Sequence, residues 1–267
     1  MYRLLVVTKE PRVQDMFTAM EGWEAMGFKP PRIRESVDEA MESMKKHQID
    51  AIALDDHPAF ESLIGSLNET NPTMPIFEIA DDADAQWAVC KEVYQLLAQL
   101  HADNSNDDMD RIHRFQLARE RWIKKLLCGM APTKKSILAN HRLLRCDERA
   151  DSPRLYVRLH IPQGNSFIAE RWHYGSDRLE VALRNFFGQE HDYLRFYPAV
   201  LSPKEVRVMV SSKPECWNGE ELEPEQALGF IQDVLEQIED CLGLSMKLAE
   251  IRRMDSLTAF AAEEHQV

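Results

Sequence analysis

The sequence predicts an α/β protein: a doubly wound parallel sheet in its first half, a helical connector, and an α+β domain in its second. Three patterns carry that expectation. Buried-type apolar runs alternate with amphipathic helical stretches as far as Ala83. Residues 84–128 then read as two helices around a polar break. Strand patterns return after residue 153, two of them as a hairpin. The expected boundaries are 1–106, 107–152 and 153–267.

The opening run YRLLVV (2–7) is continuously apolar, as a strand covered on both faces should be. A helical stripe of Val13, Met16, Phe17 and Met20 follows. Ser36 with Glu39 three residues on forms a capping box for a helix whose stripe is Val37, Ala40, Met41 and Met44. DAIAL (50–54) is a second buried strand, FESLIGSLNE a third helix and MPIFEIA (74–80) another strand. Strands separated by helices build βαβ units, and functional groups in such sheets collect at the strands' carboxyl ends. Asp55 sits at such an end.

DAQWAVCKEVYQLLAQL (84–100) reads as one helix, HADNSNDD as a polar break, and a second helix runs from about Met109 to Cys128, ended by Gly129 and Pro132. Its residues Ile112, Phe115, Trp122 and Leu126 have heptad a and d spacing, with Arg119 at the intervening a position. That pattern fits either a coiled-coil dimer seam or a helix packed on its own domain. Beyond it, RLYVRLHI (154–161) alternates like a half-buried strand and DRLEVALRNFF (177–187) is an amphipathic helix. YLRFYPAVLSPKEVRVMVSS is a hairpin with a Ser-Pro turn. A helix beginning near Pro224 and the strand SMKLAEIRR complete a ferredoxin-like order of elements.

The net charge of −13 is uneven: −10 over residues 1–106, +4 over 107–152 and −7 over 153–267. Two acidic domains around a basic connector would be repelled from DNA over most of their surface. The five cysteines are scattered with no CxxC spacing, which fits reduced thiols and a cytoplasmic setting. No signal-peptide pattern opens the chain, and no apolar run approaches the roughly 18 residues of a membrane span. GxSxG, P-loop and GxGxxG motifs do not occur, so no enzymatic activity is expected. In DDHP, the consecutive Asp55, Asp56 and His57 do not suggest a metal site. RWHYG (171–175) fits either a ligand-facing or nucleotide-stacking surface or aromatic packing at a helix start, and QEHDYLRFYP reads as aromatic packing.

MYRLLVVTKEP, WEAMGF, the capped second helix and DAIALD together resemble the receiver domain of AraC/YesN-type bacterial response regulators. ERWIKKLLCG, RLYVRLHI, DRLEVALRNFF and EVRVMVSS resemble the connector helix and degenerate cyclase-like domain that follow it there. The resemblance implies a receiver of flavodoxin-like fold with Asp55 as the phosphoacceptor equivalent. It also shows what is missing. The two acidic residues that hold Mg²⁺ after the first strand correspond to Thr8 and Lys9, with Glu10 and Asp56 the acids left nearby. A hydroxyl and an ammonium do not replace two carboxylates as hard-cation ligands. The Ser or Thr expected after the fourth strand is Ile79 or Ala80, and no Lys-Pro pair or fifth strand appears between residues 85 and 130. SPKEVR stands where a diguanylate cyclase carries GGDEF.

The expectation is therefore a pseudo-receiver, in which Lys9 either pairs with Asp55 where the metal would be or points to solvent. It would act without a cofactor, Mg²⁺ entering only if the receiver works, and through a protein partner or a second copy of itself. Neither nucleic acid nor membrane is an expected partner. After Arg253 the fourteen residues MDSLTAFAAEEHQV are too short for the helix-turn-helix pair of that family. The alternative reading is a phosphorylatable response regulator whose DNA-binding end is missing.

Overall fold

The computed structural model describes residues 1–101, 111–130, 133–188, 193–216 and 222–261. It falls into two compact units, one of residues 1–119 with 139–146, the other of residues 120–138 with 147–267. The expected polar break, the first residues of the helix expected from Met109, Pro132, part of QEHDYLRFYP and the last six residues lie outside the described residues. No helix among the described residues is long and apolar enough to cross a membrane.

The first unit is a parallel sheet of β1 (Tyr2–Val7), β2 (Phe28–Arg34), β3 (Ala51–Leu54) and β4 (Ile76–Glu78), in the order β2-β1-β3-β4. Its helices are α1 (Pro11–Ala19), α2 (Val37–Lys46), α3 (Glu61–Thr70) and α4 (Ala83–Leu100). The last four residues of β1 and all of β3 are buried, because the sheet has helices on both sides. On one face Leu5, Val7, Ile52 and Leu54 pack with Ala40 of α2 and Leu63 and Leu67 of α3. On the other, Phe17 of α1 stacks on Trp23, and Trp23 meets Trp87 of α4 at 4.6 Å. Ser36 caps α2 by accepting from Glu39 N at 3.2 Å. The Glu39 carboxylate reaches back to Glu35 N at 3.1 Å, one residue before the cap.

Two helices lie in the middle of the chain, α5 (Arg111–Leu127) and α6 (Lys134–Leu143), the latter within the expected helical connector but without a helix of its own specified from the sequence. The division into units falls inside both. Arginines of α5, of α6 and of the turn after α6 reach β4 and its approach. Arg142 pairs with Glu78 at 2.8 Å, Arg145 donates to Met74 O at 3.2 Å, and Arg111 donates to Thr73 O at 3.5 Å. Arg119 donates to the carbonyls of Leu144 (2.8 Å) and Arg145, in the turn that follows α6.

The second unit is an antiparallel sheet of β5 (Arg154–His160), β6 (Leu194–Ser202), β7 (Glu205–Ser212) and β8 (Lys247–Met254), in the order β6-β7-β5-β8. A single turn α7 (Gly164–Ser166), a π-helical turn (Phe167–Trp172) and α8 (Gly175–Phe187) follow β5. The helix α9 (Pro224–Leu242) follows β7. Leu155, Val157 and Leu159 of β5, alternating as a strand requires, share a core with Leu179 and Leu183 of α8 and Ile231 and Ile238 of α9. β5 is not simply half-buried, as its alternation suggests. Arg154 and Tyr156 on its other face are 2% and 8% exposed, Tyr156 lying beside the Phe260 ring. Main-chain and side-chain oxygens before the strand accept from the two terminal nitrogens of Arg154, which donate to Ser152, Pro153 and Arg149.

The hairpin turns at Pro203 and Lys204, and Ile161 N bonds Lys204 O at 2.9 Å. Gly164 fits under this turn because it has no side chain: a Cβ there would lie 1.6 Å from Pro203 O. Glu223 and Gln226 form the capping box that starts α9 behind Pro224.

Candidate functional site

The carboxyl ends of β1 and β3 meet at Asp55. Thr8 follows β1 and is completely buried, its N bonding Arg34 O at 3.0 Å. Its hydroxyl donates to Asp55 Oδ2 at 3.0 Å and accepts from Glu10 N at 3.0 Å. Asp55 is half-buried and its N bonds Val7 O at 3.1 Å, which ties the turn to the strand beside it.

Lys9 does not pair with Asp55. The side chain is exposed and its ammonium lies 6.0 Å from the centre of the Phe60 ring. The reason is local. Thr8 turns inward at the strand end and its hydroxyl takes the near carboxylate oxygen, so the next side chain points outward. Glu10 is exposed and leads into α1, which starts at Pro11. Asp56 is exposed as well. The His57 Nδ1 accepts from Ala59 N at 3.0 Å, capping the short 3₁₀ turn Pro58–Phe60.

Sequence reasoning does not single out Gln86. It is fully buried, its Oε1 accepts from Ala80 N at 2.8 Å, and its Nε2 donates to Cys90 Sγ at 3.6 Å. Ala80 therefore sends its amide to a side chain at the end of β4. The signal was present in the helical spacing: Gln86, Cys90, Val93 and Leu97 form one stripe, so a polar residue sits in an apolar row.

The two positions after β1 that would supply acidic ligands to a Mg²⁺ ion hold a hydroxyl and an outward-facing ammonium, which fits such an ion poorly. Mg²⁺ takes an octahedron of oxygens, usually one or two carboxylates with several waters. Here one flank of Asp55 is a hydroxyl already donating to it, and no three His, Cys, Asp or Glu side chains converge on a point among the described residues. Between residues 85 and 130 the described residues hold helix and no strand.

Of the four helix residues with heptad spacing, Phe115, Trp122 and Leu126 are 1%, 9% and 2% exposed, whereas Ile112 is 65% exposed. Arg119, between them, lies over the Phe115 ring at 5.3 Å. Only Ile112 of this stripe is open to a second chain.

In the second unit, Trp172 of RWHYG stacks on Phe167 and donates to Gly175 O at 2.8 Å. His173 closes the π turn with a φ of 49°. A polar cleft of about 460 Å³ lies beside this turn, lined among others by Gln163, Glu170, Arg171, Glu239 and Lys247.

A comparison of the chain with protein-family models and with curated proteins returned no match.

Proposed function

We propose that this chain is a non-enzymatic regulatory protein whose first unit is a flavodoxin-like receiver without a working phosphoryl switch. The second unit is read as a ferredoxin-like, degenerate cyclase-like domain, and the whole as related to AraC/YesN-type response regulators. Output is by association with a protein partner or a second copy.

The parallel order β2-β1-β3-β4 supports the first part, and the antiparallel order β6-β7-β5-β8 with helices after β5 and β7 supports the second. The observation that carries the functional reading is the Thr8–Asp55 hydrogen bond. Moving a phosphoryl group onto a carboxylate brings two anions together, and a metal or a cation must neutralise them. At Asp55 a neutral hydroxyl stands on one side and Lys9 faces away. A switch also needs a hydroxyl at the end of β4 to follow the new charge, and neither Ile79 nor Ala80 supplies one.

Incubation with acetyl phosphate and Mg²⁺ tests this reading. The expected result is no phosphate incorporated above background. Stoichiometric uptake that disappears in Asp55→Asn would instead establish the phosphorylatable regulator. Self-association is measured by light scattering: a mass that stays at 30.9 kDa at high concentration removes the homodimer and leaves a heterologous partner.

A further inference from the structure

The opposite rim of the parallel sheet carries a concave groove of about 400 Å³, lined by Arg3, Leu4, Lys29, Pro30, Arg32 and His47. Its origin is an irregularity in the pairing of β1 with β2. Arg3 pairs with Lys29 and Leu5 with Arg32, so Pro30 and Pro31 together stand opposite Leu4. One extra residue in a strand moves every later side chain to the other face. Lys29, Arg32 and Arg34 thereby share the face of Arg3, Leu5 and Val7, the face that packs on α2. Regular alternation from Lys29 would have placed Pro31 and Ile33 there.

The helix α2 brings Lys45 and Lys46 in its last turn, with His47 as its C-cap. Arg3, Lys29, Arg32, Arg34, Lys45 and Lys46 are six of the nine Lys and Arg residues in a segment, 1–106, whose net charge is −10. Their proximity shows on His47. Burial first, and then the charges of Arg32, Arg3, Arg34 and Lys46, hold its imidazole below the ordinary value.

Few anions offset this charge. Glu42 pairs with Lys46 at 2.6 Å. Asp50 is buried and accepts from Arg3 N at 2.8 Å and Gln48 Nε2 at 3.3 Å. Among the described residues, no carboxylate lies within 4.0 Å of the side-chain nitrogens of Arg3, Lys29, Arg32 or Lys45. Cations crowded in this way repel one another, and a bound anion relieves the repulsion.

The shape and the chemistry narrow the class of anion. Pro30 and Pro31 remove two N–H groups from the edge strand, which disfavours an added peptide strand. The acidic remainder of the segment disfavours a long nucleic acid. Guanidinium forks match phosphate oxygens, and the groove has the volume of a small-ligand site. We propose that this groove binds a small, multiply charged phosphate anion, a diphosphate or longer, with Arg3 and Arg32 as forks and Lys29 as a point charge.

Inorganic pyrophosphate titrated calorimetrically into the full chain at low salt tests the proposal. Saturable binding of one anion per chain is expected, weakened about tenfold by Arg32→Ala and by Lys29→Gln and unchanged by Lys91→Gln. ADP in place of pyrophosphate distinguishes the source of the diphosphate: tighter binding identifies a nucleotide, equal binding a free polyphosphate. In the parent protein the His47 ring-proton signals should move with the same midpoint, a measurement independent of whether a variant folds. Absence of saturable binding, binding indifferent to both substitutions in folded variants, or binding of an oligoglutamate peptide but not of pyrophosphate would each overturn it.

Discussion

Thr8 Oγ1 donates to Asp55 Oδ2 at 3.0 Å while accepting from Glu10 N at the same distance, so one hydroxyl joins the exits of two neighbouring strands. Thr8 is completely buried. Thr8→Val keeps the shape and removes both bonds, leaving an amide and a carboxylate oxygen without that partner. The expected loss is about 1–2 kcal/mol, read from denaturant unfolding. Thr8→Ser should retain most of the stability, which separates the hydroxyl from the methyl.

Glu180 makes the second unit sensitive to acid. Burial alone would raise its carboxyl, but bonds from Lys124 (2.6 Å), Arg184 (2.8 Å) and Val200 N (3.0 Å) outweigh it and hold the group below its ordinary value. The folded state therefore prefers the charged form. Its contribution is complete above the unfolded value of 4.5 and is lost as pH falls through the lowered folded value. Glu180→Gln should flatten the fall in melting temperature in that acidic window. Glu180→Ala should cost about 2 kcal/mol at neutral pH, because the partly screened Lys124 loses its counter-charge and Arg184 keeps only Glu120.

Gly164 sets the fit of the β5 exit against the hairpin. With a Cβ 1.6 Å from Pro203 O, Gly164→Ala forces one main-chain segment to shift. A loss of about 2–3 kcal/mol is expected in thermal unfolding. Gly229→Ala, whose added Cβ would meet nothing within 4 Å inside α9, should be neutral or mildly stabilising.

The cysteines should separate by reactivity. Burial pushes the Cys90 thiol up to about 11, with the Gln86 bond opposing it only in part, so little thiolate forms at pH 8. Mass spectrometry after iodoacetamide treatment should show early labelling at the exposed Cys216 and Cys241 and none at Cys90 until the chain unfolds.

Local chemistry made much of this protein legible. The apolar runs 2–7 and 50–54 became buried parallel strands, and Ser36 and Pro224 marked helix starts that the structure retains. The hairpin turned at its Ser-Pro step. Asp55 could be assigned to a strand's carboxyl end because strand period and topology together fix that position.

Direction and partnership were another matter. Whether Thr8 or Lys9 turned toward Asp55 depended on the pleat at the end of β1, which gave the carboxylate to the hydroxyl and left the ammonium facing outward. Arg119, at an a position of the heptad pattern, bonds the carbonyl of Leu144 just past α6, 25 residues away in sequence. The basic face of β2 exists only because two prolines share one place in the register. The sequence by itself determined which segments could be strands and helices, since those follow from short-range periodicity and capping. Tertiary structure alone decided which polar groups met, because such contacts depend on register and packing between residues distant along the chain.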